Sequence, residues 1–80
     1  MATIDLAVLG AEPGRYRAYA EAIRREYGHL SDAAYREGRS ALLLALLARE
    51  AIFPDAGFRA RYEARARKNI ERELERLGRD

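Results

Sequence analysis

The side chains that could do chemistry in this 80-residue chain are few and lie far apart. Asp5 is a single carboxylate within the apolar run TIDLAVLG, residues 3–10. The only histidine, His29, lies beside Ser31 and Asp32, and residues so close in sequence cannot form the geometry of a Ser-His-Asp nucleophile. Cysteine is absent, which excludes disulfides and thiolate metal sites. Asp5 is therefore the one acid whose apolar surroundings need a special explanation.

The residue pattern contains neither a complete metal site nor a phosphate-binding loop. A metal ion needs about three or four converging ligands, and Asp5 is the only acid that stands out on an apolar face. No Gly-rich loop follows a strand. Glu71 and Glu75 are paired carboxylates, but arginines surround them, so they indicate a solvated ion-pair face. The residues alone thus predict no self-contained catalytic site.

The positive charge of the chain is almost entirely arginine. Lys68 is the only lysine among 15 basic residues, and 13 acids bring the net charge to +2. Arginine is suited to bidentate pairing with carboxylates or phosphates. Because the acids are interleaved with the arginines, we expect helical ion pairs on a solvated face, and nucleic-acid binding is not expected.

Helical periodicity runs through the whole sequence, so we predict an all-α fold. Glycines at positions 10, 28 and 78 are placed to end helices, and Pro13, Ser31 and Asp55 to begin them. The fold expected is an open bundle of three main helices preceded by a short N-terminal helix. The predicted helices run from about Ala2 to Leu9, Pro13 to Tyr27, Ser31 to Glu50 and Ala56 to Leu77.

The third predicted helix is the most apolar. Its second half, residues 41–48, is apolar nearly all round, which predicts a central helix with neighbours on several sides. Gly38 within it costs helix stability, so we expect a close helix crossing there. The last helix should be about 30 Å long, more than so small a body needs, so part of its apolar face is expected to pack against something outside these residues.

Length and hydropathy predict a single helical unit, residues 1–80, in the cytoplasm. The longest apolar run has eight residues, far short of the ~20 that a membrane span needs, and no signal peptide is visible. A lone core of this size supplies only roughly 3–5 kcal/mol of stability. We therefore expect help from self-association or a further helical part, from a metal held by oxygen and nitrogen ligands, or from tight helix packing.

Several segments, read together and in order, resemble a known family. They begin with D-L-A-V-L-G-A-x-P-x-x-Y-x-x-Y-x-x-A-I-R-x-E-Y-x-H at Asp5 and continue with D-A-A-Y-R-x-G-R and L-L-A-R. They end with F-x-x-R-Y-E-A-R-A-R-x-N-I-x-R-E, which closes at Glu73. This order resembles the C-terminal portion of HD-superfamily proteins described as predicted metal-dependent phosphohydrolases, and it covers nearly the whole chain.

The resemblance implies a role for Asp5. In that family a helical domain holds a divalent metal with a His, a His-Asp doublet and a later Asp followed by Leu, and Asp5 matches this later Asp. A hard carboxylate suits Mg²⁺ or Mn²⁺. The alternative is that Asp5 is a helix N-cap or first-turn acid. Arg24 and Arg39 are candidates to face a phosphate in the complete enzyme, with ion pairing as the favoured alternative.

Departures from the family pattern limit what this chain should do alone. His29 is followed by Leu30, so the sequence has no His-Asp doublet, and Thr3 stands where an additional acid often precedes the ligand. We expect the C-terminal part of a larger HD-type domain, a truncated or diverged form that neither hydrolyses phosphoesters nor binds a metal tightly by itself. The alternative is a free-standing Arg-rich interaction module, not an enzyme, that self-associates through the surface of residues 42–47.

Overall fold

Four α-helices make up the part of the chain that the structure, a computed structural model, describes, which is residues 6–78. They are α1 (Leu6–Leu9), α2 (Pro13–Glu26), α3 (Asp32–Ala48) and α4 (Ala56–Leu77). Within this range there is no strand, and the molecule measures 38 × 23 × 21 Å along its principal axes. The predicted all-α bundle of three main helices after a short one is confirmed. No helix in residues 6–78 is long and apolar enough to cross a membrane.

The predicted helix starts follow local capping chemistry. The Ser31 hydroxyl accepts a hydrogen bond from the Ala34 N–H at 3.1 Å, and the Asp55 carboxylate accepts one from the Phe58 N–H at 2.9 Å. Both bonds satisfy donors that a helix start leaves without partners. Pro13 opens α2, as expected. Helix α3 ends at Ala48, two residues before the prediction.

The central helix is α4, and the prediction that α3 is central was wrong. Helix α4 packs against each of α1, α2 and α3. Leu43 and Leu46 of α3 are buried, but Leu42 and Leu44 are 38% and 57% exposed. The periodicity of α3 was misleading because its outer face is partly alanine, which can stay in water at little cost. Helix α4 is long enough to reach every neighbour.

The core combines residues of all four helices with two from the connection between α3 and α4. Ile52 and Phe53 of that connection are as buried as any helical residue, with exposures of 0% and 3%. Tyr16 and Tyr35 are buried, whereas Tyr27 is 45% exposed. The clustered core residues are Leu9, Tyr16, Ala20, Leu43, Leu46, Ile52, Phe53, Ala66 and Ile70.

The close backbone approach lies at Gly10, and the prediction of one at Gly38 was wrong. A Cβ at Gly10 would lie 2.7 Å from the Tyr62 Cβ and 3.2 Å from the Tyr62 carbonyl oxygen. A Cβ at Gly38 would meet nothing within 4 Å, because this part of α3 faces solvent. Glycine is therefore required where the end of α1 meets α4.

Alanine at these two glycines should have opposite effects. Gly10→Ala forces α1 away from α4, and we expect the free energy of unfolding to fall by about 1–3 kcal/mol. Gly38→Ala adds helix propensity without a clash and should raise it by about 0.5–1 kcal/mol. Urea unfolding followed by far-UV circular dichroism measures both. Equal shifts in the two variants would contradict the packing at Gly10.

Candidate functional site

A buried carboxylate, Glu73 of α4, lies at the junction of the three long helices. The Arg39 guanidinium from α3 donates to both of its oxygens, from Nε at 2.7 Å and from Nη2 at 2.9 Å. The Tyr16 hydroxyl from α2 donates to Oε1 at 2.5 Å. The side chains of Arg39 and Glu73 are each only 5% exposed. One carboxylate thus joins α2, α3 and α4.

The protonation states of this triad follow from its burial. Burial raises the pKa of Tyr16 above its ordinary value, and the hydrogen bond to Glu73 raises it further. Burial alone would lower the pKa of Arg39, but the hydrogen bonds and negative charge of Glu73 raise it above the ordinary arginine value. The guanidinium therefore stays charged and the phenol stays neutral. The carboxylate accepts from both.

Arg24, one of the two candidates to face a phosphate, closes the turn between α2 and α3. Its guanidinium lies over the Tyr35 ring, 4.7 Å from the centroid, and Nη2 donates to Asp32 Oδ1 at 2.8 Å. The carbonyls of Tyr27 and Leu30 accept from the same group at 3.0 and 3.2 Å. The hydrogen bond from Arg24 also lowers the pKa of Asp32.

Both candidates are thus engaged with protein acceptors, Arg24 at the surface and Arg39 in the core. The buried triad does not include Arg24, and the two guanidinium groups have different acceptors, Asp32 for Arg24 and Glu73 for Arg39. A role for either toward a phosphate stays a prediction.

The chain immediately after Asp5 is anchored to α4, while Asp5 itself lies outside the described residues. The Asn69 side-chain amide donates to the carbonyls of Leu9 and Ala11, each at 2.9 Å. Arg65 Nε donates to the Gly10 carbonyl at 2.7 Å. These bonds satisfy carbonyls that the end of a helix leaves without partners. The position of α1 is therefore fixed by polar side chains as well as by apolar contact.

Glu63 and Arg67, an i, i+4 ion pair of α4, hold the connection between α3 and α4. The Glu63 carboxylate accepts from the N–H groups of Ile52 and Phe53, with shortest distances of 3.0 and 3.2 Å. Partial burial raises the pKa of Glu63, but the hydrogen bonds from the backbone and from Arg67 outweigh this effect and lower it below its ordinary value. Arg67 donates to Glu63 at 2.8 Å and to the Leu47 carbonyl at 3.0 Å. The pair is real, but its role is to bind backbone.

The described residues contain no cluster of metal ligands. Within residues 6–78, no group of three or more His, Asp or Glu side chains could hold a metal ion. His29 is exposed in the turn after α2, with its ring 6.1 Å from that of Tyr27. What the described chain does offer is rigid support, because every buried side-chain N or O atom in this range has a hydrogen-bond partner.

Sequence reasoning missed Asn69 and Glu73 as buried residues. Neither residue was predicted to face the core, yet the side chains of Asn69 and Glu73 belong to residues that are only 2% and 4% exposed. A signal was present: they are spaced i, i+4 and lie directly beside Ala66 and Ile70 on the helix surface. Their polar character concealed them, because charge interleaving predicts solvent exposure.

Comparisons with known proteins add no identification. No protein-family model matches the chain, and searches of curated proteins and of solved structures found no significant match.

The triad predicts a large loss of stability on neutralising Glu73. Glu73→Gln leaves the buried Arg39 charge without its counter-charge, and we expect the free energy of unfolding to fall by about 3–5 kcal/mol. Glu71→Gln, an exposed change of the same kind on the same helix, should shift it by less than about 0.5 kcal/mol. Thermal unfolding followed by circular dichroism measures both.

If Glu73→Gln does not fold, the triple variant Y16F/R39M/E73L keeps the test open. It removes both charges and the hydroxyl together, so it should recover a folded helical protein. Equal stabilities of Glu73→Gln and Glu71→Gln would contradict the buried pair.

Tyr16 predicts a stability difference that depends on pH. The pKa of Tyr16 is raised in the folded chain, whereas in the unfolded chain it stays near 10.0. The stabilisation from its protonated hydroxyl is therefore fully present below about pH 10 and is lost as the pH rises further. The wild type should exceed Tyr16→Phe by about 1.5–3 kcal/mol at neutral pH. That difference should shrink above about pH 10 in urea unfolding, and a constant difference up to about pH 11 would contradict it.

Proposed function

We propose that this chain is the C-terminal helical part of an HD-type metal-dependent phosphohydrolase and is not catalytic by itself. One observation supports this most. Seven polar residues of the family-like pattern form hydrogen bonds that join separate parts of the fold. Those residues are Tyr16, Arg39, Glu63, Arg65, Arg67, Asn69 and Glu73.

Such a coincidence is expected if the pattern is the signature of this fold. A chance match would distribute its polar residues over the solvated surface, where helix sequences tolerate most substitutions. Here seven of the matched polar residues are buried or half-buried and bond other parts of the fold, whereas matched residues such as Glu26, His29 and Arg61 are exposed. The pattern therefore has a physical reason to recur in proteins with this arrangement of helices.

The proposal gives Asp5 the role of one metal ligand among several. When bound, Mg²⁺ or Mn²⁺ would lower the pKa of a water molecule and neutralise phosphate charge. Residues 6–78 do not fit such an ion by themselves, because they hold no ligand cluster. The His and His-Asp ligands of the family must then come from another helical part. What this chain contributes is the anchored segment that begins at Leu6.

A second candidate is a self-associating interaction module, which the exposure of Leu42 and Leu44 favours. The surface for it differs from the predicted residues 42–47, since Leu43 and Leu46 belong to the core. Sedimentation at micromolar concentration tests this candidate. A dimer that dissociates when Leu44 is changed to Glu supports the module, and a well-folded monomer counts against it.

Metal titration tests the first proposal directly. We expect no stoichiometric, sub-micromolar Mn²⁺ binding, because a single carboxylate binds a divalent ion weakly. Electron paramagnetic resonance of the free ion measures the binding. Asp5→Asn should behave like the wild type. Tight one-to-one binding that Asp5→Asn abolishes would overturn the claim that the ligand set is incomplete.

The coding DNA upstream of Met1 supplies the positive arm. An in-frame His and His-Asp doublet there supports the proposal, and the fused protein should hydrolyse a simple phosphomonoester in a manner that Asp5→Asn eliminates. A nearby in-frame stop codon, or a fused protein insensitive to Asp5→Asn, would count against it.

A further inference from the structure

We propose that a cleft between the start of α2 and the end of α4 binds the phosphate group of a small phosphorylated molecule. The cleft has a volume of about 310 Å³, and three arginines line it: Arg17 of α2 with Arg72 and Arg76 of α4. No residue of α1 contributes to it, so the inference does not depend on Asp5 or on the proposed phosphohydrolase.

The floor of the cleft is rigid. Tyr16 and Asn69 are 2% exposed, and both are held by bonds to other elements, Tyr16 to Glu73 and Asn69 to the carbonyls of Leu9 and Ala11. Because these side chains are already satisfied, they shape the cleft and leave ligand recognition to the arginines above them. A preformed floor lowers the entropic cost of binding.

Arg17 and Arg72 of the cleft are exposed and Arg76 is half-buried, and their hydrogen bonding differs from that of the half-buried arginines elsewhere in the fold. Arg24, Arg65 and Arg67 each donate to carboxylates and carbonyls at 2.7–3.4 Å. Arg76 is half-buried, and residues 6–78 provide no acceptor for its guanidinium. Arg72 has only the Asn69 Oδ1 at 3.5 Å. Two guanidinium groups of the cleft therefore keep most of their donors available.

Positive charge predominates on the lining of the cleft itself. None of its lining residues is a carboxylate, and the Arg17 pair with Glu21 is long, 3.7 Å, and exposed. The N-cap residue of α2, Glu12, makes no side-chain capping bond and instead contacts Arg65. Like charges gathered in a concave surface raise its positive potential, which favours an anion.

A phosphate group matches this arrangement better than a carboxylate does. Guanidinium groups bind phosphate in a planar, bidentate manner, and three of them can engage its three terminal oxygens. A cleft of this volume is at the lower limit of small-molecule sites. An adjoining cleft of about 290 Å³ shares Arg17 and Arg76 but is lined also by Glu21, Asp32 and Glu73, so it offers room for the uncharged remainder of a small ligand and not for a second anionic group.

Nuclear magnetic resonance of the full chain tests the proposal, with inorganic phosphate as the probe at constant ionic strength. We expect saturable shifts, in the millimolar range, of the Nε–H signals of Arg17, Arg72 and Arg76 and of the Gly14 amide. Arg76→Gln should weaken binding about tenfold, as expected for the loss of a charge-assisted hydrogen bond. Arg25→Gln, an equal change of charge elsewhere on α2, should leave binding unchanged.

The proposal would be overturned by shifts that do not saturate or by shifts that sodium chloride reproduces. Equal weakening of phosphate binding by Arg76→Gln and Arg25→Gln would overturn it as well. A short RNA duplex that binds the same arginines more tightly than a phosphomonoester does would also overturn it, because the surface would then serve a nucleic-acid backbone. Circular dichroism of both variants checks that they keep the helical fold.

Discussion

The buried Glu73 carboxylate is the interaction on which the rest of the structure depends. A carboxylate so far from water is costly unless its oxygens accept hydrogen bonds, and within residues 6–78 Arg39 and Tyr16 donate these bonds. Each donor comes from a different helix, so α2 and α3 can pack on α4 in only one register that completes the set. Apolar side chains would tolerate small shifts. We infer that the triad contributes specificity of packing more than net stability.

Long polar side chains of α4 extend the same principle to the connections. Asn69 and Arg65 bind the carbonyls after α1, while Glu63 and Arg67 bind the backbone between α3 and α4. A chain of 80 residues without cysteine has a small apolar core and no disulfide to compensate. Hydrogen bonds from one central helix to backbone groups replace part of what a larger core would supply.

Local chemistry was readable from the sequence, whereas the partners of each face were not. The caps at Ser31 and Asp55 and the bounds of α4 follow from residue types within one helical turn. The central position of α4 does not follow from local residue types, because it depends on which apolar faces meet. The greater hydrophobicity of α3 therefore pointed to the wrong helix. Glu73 was missed for a related reason: a charged residue is predicted to be buried only when its partners, 34 and 57 residues away, are known.

The buried network also decides where function can lie. Arg39, Asn69 and Glu73 form hydrogen bonds with other residues of the chain. These buried polar side chains therefore stabilise the fold. Any ligand must then be bound by charged groups that the fold leaves available. Among the described residues the clearest of these is Arg76, with Arg72 beside it, near the end of α4. The helices thus form a scaffold whose unengaged charged groups lie at its surface, because the buried ones are committed to holding the helices together.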